Sequence, residues 1–337
     1  MTPVPEAAAQ PGTLGVRAPA KINLFLAVGP LRPDGYHELL TLFEAVPLED
    51  ILTIKVRPAF DQSLSIRVRT RLRTAGRGRR RGEDLPKGID NLAGRAARLY
   101  ADAVSARGER ALVARIEIHI EKHIPVAAGL GGGSSDAAAV LRAFQNHFGR
   151  VLDETSLLQT AAALGSDVPF FLSPGRAVGR SRGEDLTPVP AARGLPLVLG
   201  LPSFGLRTSE VYRRFDRVAV PPEAPLPPPA GGLDDLLAAL TRGTLADIAV
   251  FLRNDLQPAA LALRPEIDVV LRALREAGCL NALVSGSGPS VFGLAPRIEE
   301  AEGIADRAHR LLPPAMKSGV VFRPVMSAPA WSGGPEP

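Results

Sequence analysis

The chain has 337 residues, 45% of them hydrophobic and 22% charged, with a formal net charge of +5. That length supports one large domain or two ordinary ones with a buried core, and that balance excludes a fibrous or disordered polymer. The single cysteine, Cys279, excludes an intramolecular disulfide and a cysteine-based metal site. The opening MTPVPEAAAQPGTLG lacks a charged n-region and an apolar h-region, so no signal peptide is expected. No apolar run approaches the roughly 20 residues a bilayer requires. A cytoplasmic protein is expected, with residues 1–13 as a flexible extension.

The segment APAKINLFLAV (18–28) reads as a strand. Strict alternation places Ile22, Leu24 and Leu26 on one face and Lys21, Asn23 and Phe25 on the other. The polar turn RPDGYHE (32–38) follows, then ILTIKV (51–56) and LSIRV (64–68), which predict a hairpin or small sheet. The positive charge is concentrated at Arg67, Arg69, Arg71, Arg73, Arg77, Arg79, Arg80 and Arg81. This run reads as a solvated strand edge and loop or as an anion-binding patch, and no aromatic residue interleaves it for base stacking.

Residues 89–107 have helical apolar spacing with Asp90 or Asn91 as N-cap. RIEIHI (115–120) is a strand with Ile116, Ile118 and Ile120 on one face. After a glycine-rich loop come a helix capped by Ser134 or Ser135 and a second helix that ends at Gly165. The second half predicts a strand at 196–201, a helix at 208–218, a proline-rich loop at 221–229 and helices over 233–252 and 264–277. A strand-turn-strand at 281–294, a helix over 298–311 and a last strand at 319–325 complete it. Domains are expected at 14–175 and 176–326, with a disordered tail at 327–337.

The glycine-rich loop, PVAAGLGGGSSD (125–136), has four glycines in five positions. Each costs roughly 0.5–1 kcal/mol against alanine in a regular element, so the loop needs a purpose that offsets this. Glycines let backbone N–H groups approach a ligand, and the helix that follows adds a positive dipole end, which together suit a phosphate chain. A tight structural turn is the alternative. A Walker A loop would close with lysine, and a Rossmann fingerprint would need glycine at 134; both positions hold serine here.

PVAAGLGGGSSDAAAVL resembles the glycine motif of the galactokinase, homoserine kinase, mevalonate kinase and phosphomevalonate kinase (GHMP) superfamily. The segments APAKINLFLAVGPLRPDGYHELLTLF, LGSDVPFFL and VSGSGPSVFG are similar to those of its members that act on a cytidine-diphosphate-linked methylerythritol in the non-mevalonate isoprenoid pathway. The resemblance covers roughly residues 14–325, with the motifs in family order. It implies an α/β (α+β) fold of two domains, the first similar to ribosomal protein S5 domain 2 and the second ferredoxin-like. It also implies transfer of the γ-phosphoryl group of ATP, accompanied by Mg²⁺, to the 2-hydroxyl of 4-diphosphocytidyl-2-C-methyl-D-erythritol. No nucleic-acid or membrane partner is expected, nor a protein-held metal, and the chain is expected to be a monomer or weak homodimer.

The resemblance also implies site residues. Asp167 matches the catalytic base; alone it would read as a turn residue. Lys21 matches the catalytic lysine, which orients or helps to deprotonate the hydroxyl; alone it would snorkel to solvent. Asn23 matches a substrate contact, and Tyr36 and His37 match a ring that stacks on cytosine and a histidine that bonds its edge. Tyr212, with Phe204 as fallback, matches the opposite face of that sandwich. Pro125, Ala127, Gly129, Leu130, Gly131, Gly132, Gly133, Ser134 and Ser135 match the wrap around the triphosphate, braced by Gly286, Ser287 and Gly288. Asn91 is expected on the adenosine side. Lys122 either reaches an anionic oxygen or lies on the surface.

Overall fold

The computed structural model describes residues 11–59, 63–73, 85–107, 114–173, 175–190, 193–218 and 232–327. The arginines after Arg73, the proline-rich loop at 221–229, and most of the expected extension and tail lie outside these residues. The two ends that are described differ from expectation. Gly12 and Thr13 already pair with Val56 and Lys55, and Ser327 is buried.

In chain order, β1 (Gly12–Leu31) and β2 (His37–Pro58) form a long antiparallel hairpin around the 32–36 turn. β3 (Leu64–Leu72), α1 (Leu92–Ala106), β4 (Ala114–Lys122), α2 (Gly132–His147) and α3 (Glu154–Leu164) follow. β5 (Arg176–Arg180) and β6 (Asp185–Pro188) lead to β7 (Pro196–Pro202), α4 (Thr208–Val218), α5 (Leu233–Arg242) and α6 (Leu245–Phe251). The chain then passes through β8 (Arg253–Asn254), α7 (Gln257–Leu263), α8 (Glu266–Glu276), β9 (Asn281–Val284) and β10 (Val291–Leu294). It closes with α9 (Ile298–Leu311), α10 (Pro314–Lys317) and β11 (Val320–Met326).

Among the described residues, seven strands make the first sheet, ordered β3-β4-β2-β1-β8, with β5 paired to β2 and β6 to β5. Four strands make the second, an antiparallel sheet ordered β11-β7-β10-β9. Counted within itself, that order is 4-1-3-2 with helices in its crossovers, the ferredoxin-like arrangement. The first sheet continues past the division expected at 175/176, because Thr41–Glu44 of β2 offers an open edge that β5 fills as residues 176–179.

The alternation expected along β1 breaks at a bulge. Asn23 faces Phe43 and Phe25 faces Leu42, so Leu24 is the extra residue. Beyond it the faces exchange: Phe25 and Ala27 join Ile22 and Leu24 in one core, while Leu26 packs into another. Lys21 and Asn23 precede the bulge and stay together. On the helix side of the first sheet, Ile116, Ile118 and Ile120 of β4 meet α1 and α2, whose many alanines permit close approach. Phe144 and Tyr100 fill that interface completely, each such side chain contributing about 1.5–3 kcal/mol by burial. Arg67, Arg69 and Arg71 alternate on the exposed face of β3.

A buried ion pair ties β5 to β2 and to Ser327, the residue after β11. Arg176 grips Glu44 in bidentate fashion, Nε to Oε2 at 2.6 Å and Nη2 to Oε1 at 3.0 Å, and Ser327 donates to the same carboxylate at 2.5 Å. Burial pushes the Glu44 carboxyl above its ordinary range, with Arg176 and Ser327 opposing that shift. Replacing Glu44 with alanine strands a buried guanidinium and should cost about 3–5 kcal/mol in denaturant unfolding. The Glu44→Leu/Arg176→Met pair, which removes both charges, should recover most of that loss.

Candidate active site

A cavity of about 830 Å³ takes its walls from the first sheet and from the connections of the second: β1 and β2, the glycine loop, residues 166–167, α4 and the 286–287 turn. Lys21 enters it from β1, and its ammonium donates to Asn23 Oδ1 at 2.8 Å and lies 3.6 Å from Asp167 Oδ2. Asn23 in turn donates to Thr41 Oγ1 at 2.8 Å, and Thr41 to the Phe25 carbonyl at 2.7 Å. This relay fixes the amide so that its oxygen, rather than its nitrogen, faces the lysine. Asp167 follows α3 and its terminal Gly165, and its carboxylate keeps about a third of its surface open to the cavity. The sequence-predicted cation and acid are therefore neighbours, although 146 positions separate them in the chain (167 − 21).

The glycine loop is held from three sides. Leu130 O accepts from Lys21 N–H at 3.0 Å, Ala128 O from Ser290 N–H at 3.1 Å, and Ala127 O from Leu206 N–H at 3.0 Å. At Gly129, where φ is +77°, a β-carbon would lie 2.2 Å from Ser285 O, and at Gly131, φ +71°, it would meet the Phe171 ring at 2.8 Å. Only glycine fits either place. Gly131 is also the N-cap of α2, which corrects the expected serine caps. The helix starts earlier because the left-handed glycine turns the chain into it. The first helical hydrogen bond is Ser135 N–H to Gly131 O at 2.9 Å, so the amides of 132–134 precede it and have no carbonyl of the helix to bond.

Pro125, Ala127, Gly129, Leu130, Gly131, Gly132, Gly133 and Ser134 line the cavity, as do Asn91, Gly286 and Ser287. Ser135 does not: its side chain is fully buried, since its place in the first turn of α2 points it into the core. Gly288 braces from behind, its amide nitrogen 2.8 Å from where a Gly129 β-carbon would be. Asn91 caps α1, accepting from Ala93 N–H at 3.0 Å. Thr208 Oγ1 and Ser287 Oγ join across the cavity at 3.0 Å.

Lys122 is buried, because Asp50 and Asp136 take up its charge. It donates to Asp136 Oδ2 at 2.8 Å and, over a short contact, to Asp50 Oδ2. Burial alone would depress its ammonium, but the two carboxylates outweigh this and hold it above the usual lysine range. Burial pushes the Asp136 carboxyl up to about 7 against the pull of Lys122.

At the other end, Tyr36 is exposed with the Arg182 guanidinium 5.0 Å over its ring. His37 is buried; its Nδ1 is 2.9 Å from Gly29 O, and its ring stacks on Tyr212 with centroids 5.4 Å apart. Its Nε2 is 3.0 Å from Asp216 Oδ1, within ion-pair range but off the line of a hydrogen bond. Burial and then the Asp167 charge push the Tyr212 hydroxyl above its ordinary range. Phe204 is absent from the cavity lining because it packs under Arg264, 3.7 Å from its guanidinium.

Sequence reasoning missed Thr41, Asp50, Arg182, Thr208 and Asp216. Asp50 had a signal, an acid inside the apolar run VPLEDILTI; Arg182 and Asp216 lie among many exposed charges and had none.

The description "GHMP kinases N terminal domain" matches residues 91–175, and "GHMP kinases C terminal" matches 236–313. The chain is 43% identical to a 4-diphosphocytidyl-2-C-methyl-D-erythritol kinase of Thermobifida fusca (strain YX), over 88% of this chain and 91% of that one. It is 44% identical to the protein of the same name from Rhodococcus jostii (strain RHA1), over 86% of each. A crystal structure of 4-(cytidine 5'-diphospho)-2C-methyl-D-erythritol kinase superposes with a TM-score of 0.69 at 35% identity, covering 94% of this chain and 99% of that one.

Gly129→Ala forces a β-carbon into the Ser285 carbonyl. The expected result is a loss of about 1–3 kcal/mol in chemical unfolding, the usual cost of a strained backbone position; a variant as stable as the parent would contradict this close approach.

Proposed function

The chain belongs to the GHMP kinase family, among its 4-diphosphocytidyl-2-C-methyl-D-erythritol kinases, and from that premise we propose how it transfers the γ-phosphoryl group of ATP to the substrate's 2-hydroxyl. The observation that carries the reading is the Lys21–Asp167 pair at 3.6 Å in the cavity that the N-terminus of α2 also enters. The free amides of 132–134 and the positive end of α2 hold the triphosphate. Asp167 accepts the proton of the 2-hydroxyl while the alcohol oxygen forms its bond to the γ-phosphorus and the bond to the β-phosphate oxygen breaks. Lys21, oriented by Asn23, faces the charge on the oxygens of the moving phosphoryl group. Such chemistry asks mainly for position and charge neutralisation.

Among the described residues, no group of three or more acidic, histidine or cysteine side chains could hold a metal ion. Mg²⁺ would come with the nucleotide, and Ser134, which lines the cavity, is the hydroxyl that would hold it there. When bound, the ion draws charge off the β- and γ-phosphates. Tyr36 and Tyr212 take opposite faces of the cytosine, and His37 bonds its edge. Asn91 borders the adenosine. The described residues include no helix long and apolar enough to cross a membrane, and burial pushes the Cys279 thiol up to about 12.

The direct test is ADP release from ATP, Mg²⁺ and the cytidyl alcohol. Asp167→Asn should lower kcat about 10²–10⁴-fold, the usual share of general base catalysis, with little change in ATP affinity; near-normal turnover would remove Asp167 from that role. Tyr36→Ala should raise the KM for the cytidyl alcohol by an amount worth roughly 1–3 kcal/mol, as for a lost base stack. An effect confined to kcat would refute the stacking assignment.

A further inference from the structure

We infer that Lys122, Asp50 and Asp136 form a positioning clamp that fixes the phosphate loop, the ammonium offsetting one of the two buried negative charges beside it. The inference rests on the reading that the triphosphate occupies that loop. Lys122 is the last residue of β4, before the loop, and Asp136 lies in the second turn of α2, after it. One buried ammonium bridges these two points at 2.8 Å. The same ammonium reaches Asp50 of β2, whose other carboxylate oxygen accepts the N–H groups of His123 at 2.6 Å and Ile124 at 2.9 Å. Both ends of the loop are therefore anchored to one residue of the first sheet.

Lys122 and Asp136 both border the cavity beside the ligand-facing backbone, with Asp50 buried beneath them. A β-carbon on Gly132 would come within 3.2 Å of the Lys122 nitrogen, so the ammonium lies against the first helical residue of the loop. Exposures of 6% for Lys122, 0% for Asp50 and 3% for Asp136 leave little water to screen it. Without the lysine, two buried carboxylates rather than one net negative charge would stand beside the polyanion's loop. Asp136 Oδ1 is buried with no hydrogen-bond partner, a cost of about 1–3 kcal/mol that a bridge serving stability alone would avoid.

The test separates ATP from the alcohol substrate. Lys122→Met/Asp136→Leu replaces the bridge with apolar side chains and leaves Asp50 Oδ1 bonded to its two amides while Oδ2 loses its lysine, so folding is checked first by circular dichroism. Expected are a rise in ATP KM, and a matching loss in calorimetric affinity for a nonhydrolysable analogue, on the order of ten- to a hundred-fold, as for residues that orient ligand-binding groups. The KM for the cytidyl alcohol should not change, which a general loss of stability could not produce. A folded double variant with the parent's ATP KM overturns the inference. If the double variant does not fold, Asp136→Asn decides, and an unchanged ATP KM there overturns it as well. Failure of the underlying reading looks different: the unmodified protein would itself bind no nucleotide.

Discussion

The site depends on a place where no β-carbon fits. At Gly129 the glycine loop of the first sheet's domain meets the 285–288 turn of the second so closely that a side chain there would overlap the Ser285 carbonyl. The Ser285 hydroxyl donates to Gly129 O at 3.1 Å, and Asn254 Nδ2 holds the turn by the carbonyls of Val284 and Gly286 at 2.7 and 2.8 Å. Asn254 belongs to β8, which pairs with β1, the strand that carries Lys21. Loop, turn and lysine are thus fixed to one another through the backbone. A preorganised site of this kind pays little ordering entropy when its ligand arrives.

Charge is arranged around that contact in layers. Nearest the cavity stand the open amides of 132–134 and the Lys21 ammonium, facing the Asp167 carboxylate. Beside the amides lies the buried cluster of Lys122 with its two acids. The proposed transfer needs positive potential at the phosphates and a proton acceptor at the alcohol, and the groups proposed for both are already held in position by their neighbours. The aromatic end uses a different physics. The Tyr212 ring, stacked on His37 in the structure, and Tyr36 at the rim offer flat apolar faces in place of charge.

Some parts of the chain determined their own structure because the signal was local. The isoleucine alternation of β4, the apolar spacing of α1 with its Asn91 cap and the helix at 298–311 follow from periods that a strand or helix imposes on its residues. The motif residues Lys21, Asp167 and the 129–134 loop were legible by resemblance to a family, and their types suited the chemistry. Tertiary structure decided the rest, for reasons that lie between segments. The bulge at Leu24 exchanges the faces of β1 because of its register against β2. α2 starts at Gly132 because Gly131 can adopt a left-handed turn between Phe171 and Lys21. Ser135 is turned into the core, Phe204 is drawn under Arg264, and Lys122 is buried only because Asp50, 72 residues earlier, arrives to meet it. A sequence states which side chains are available, whereas a buried charge acquires its partner only when distant strands are brought side by side.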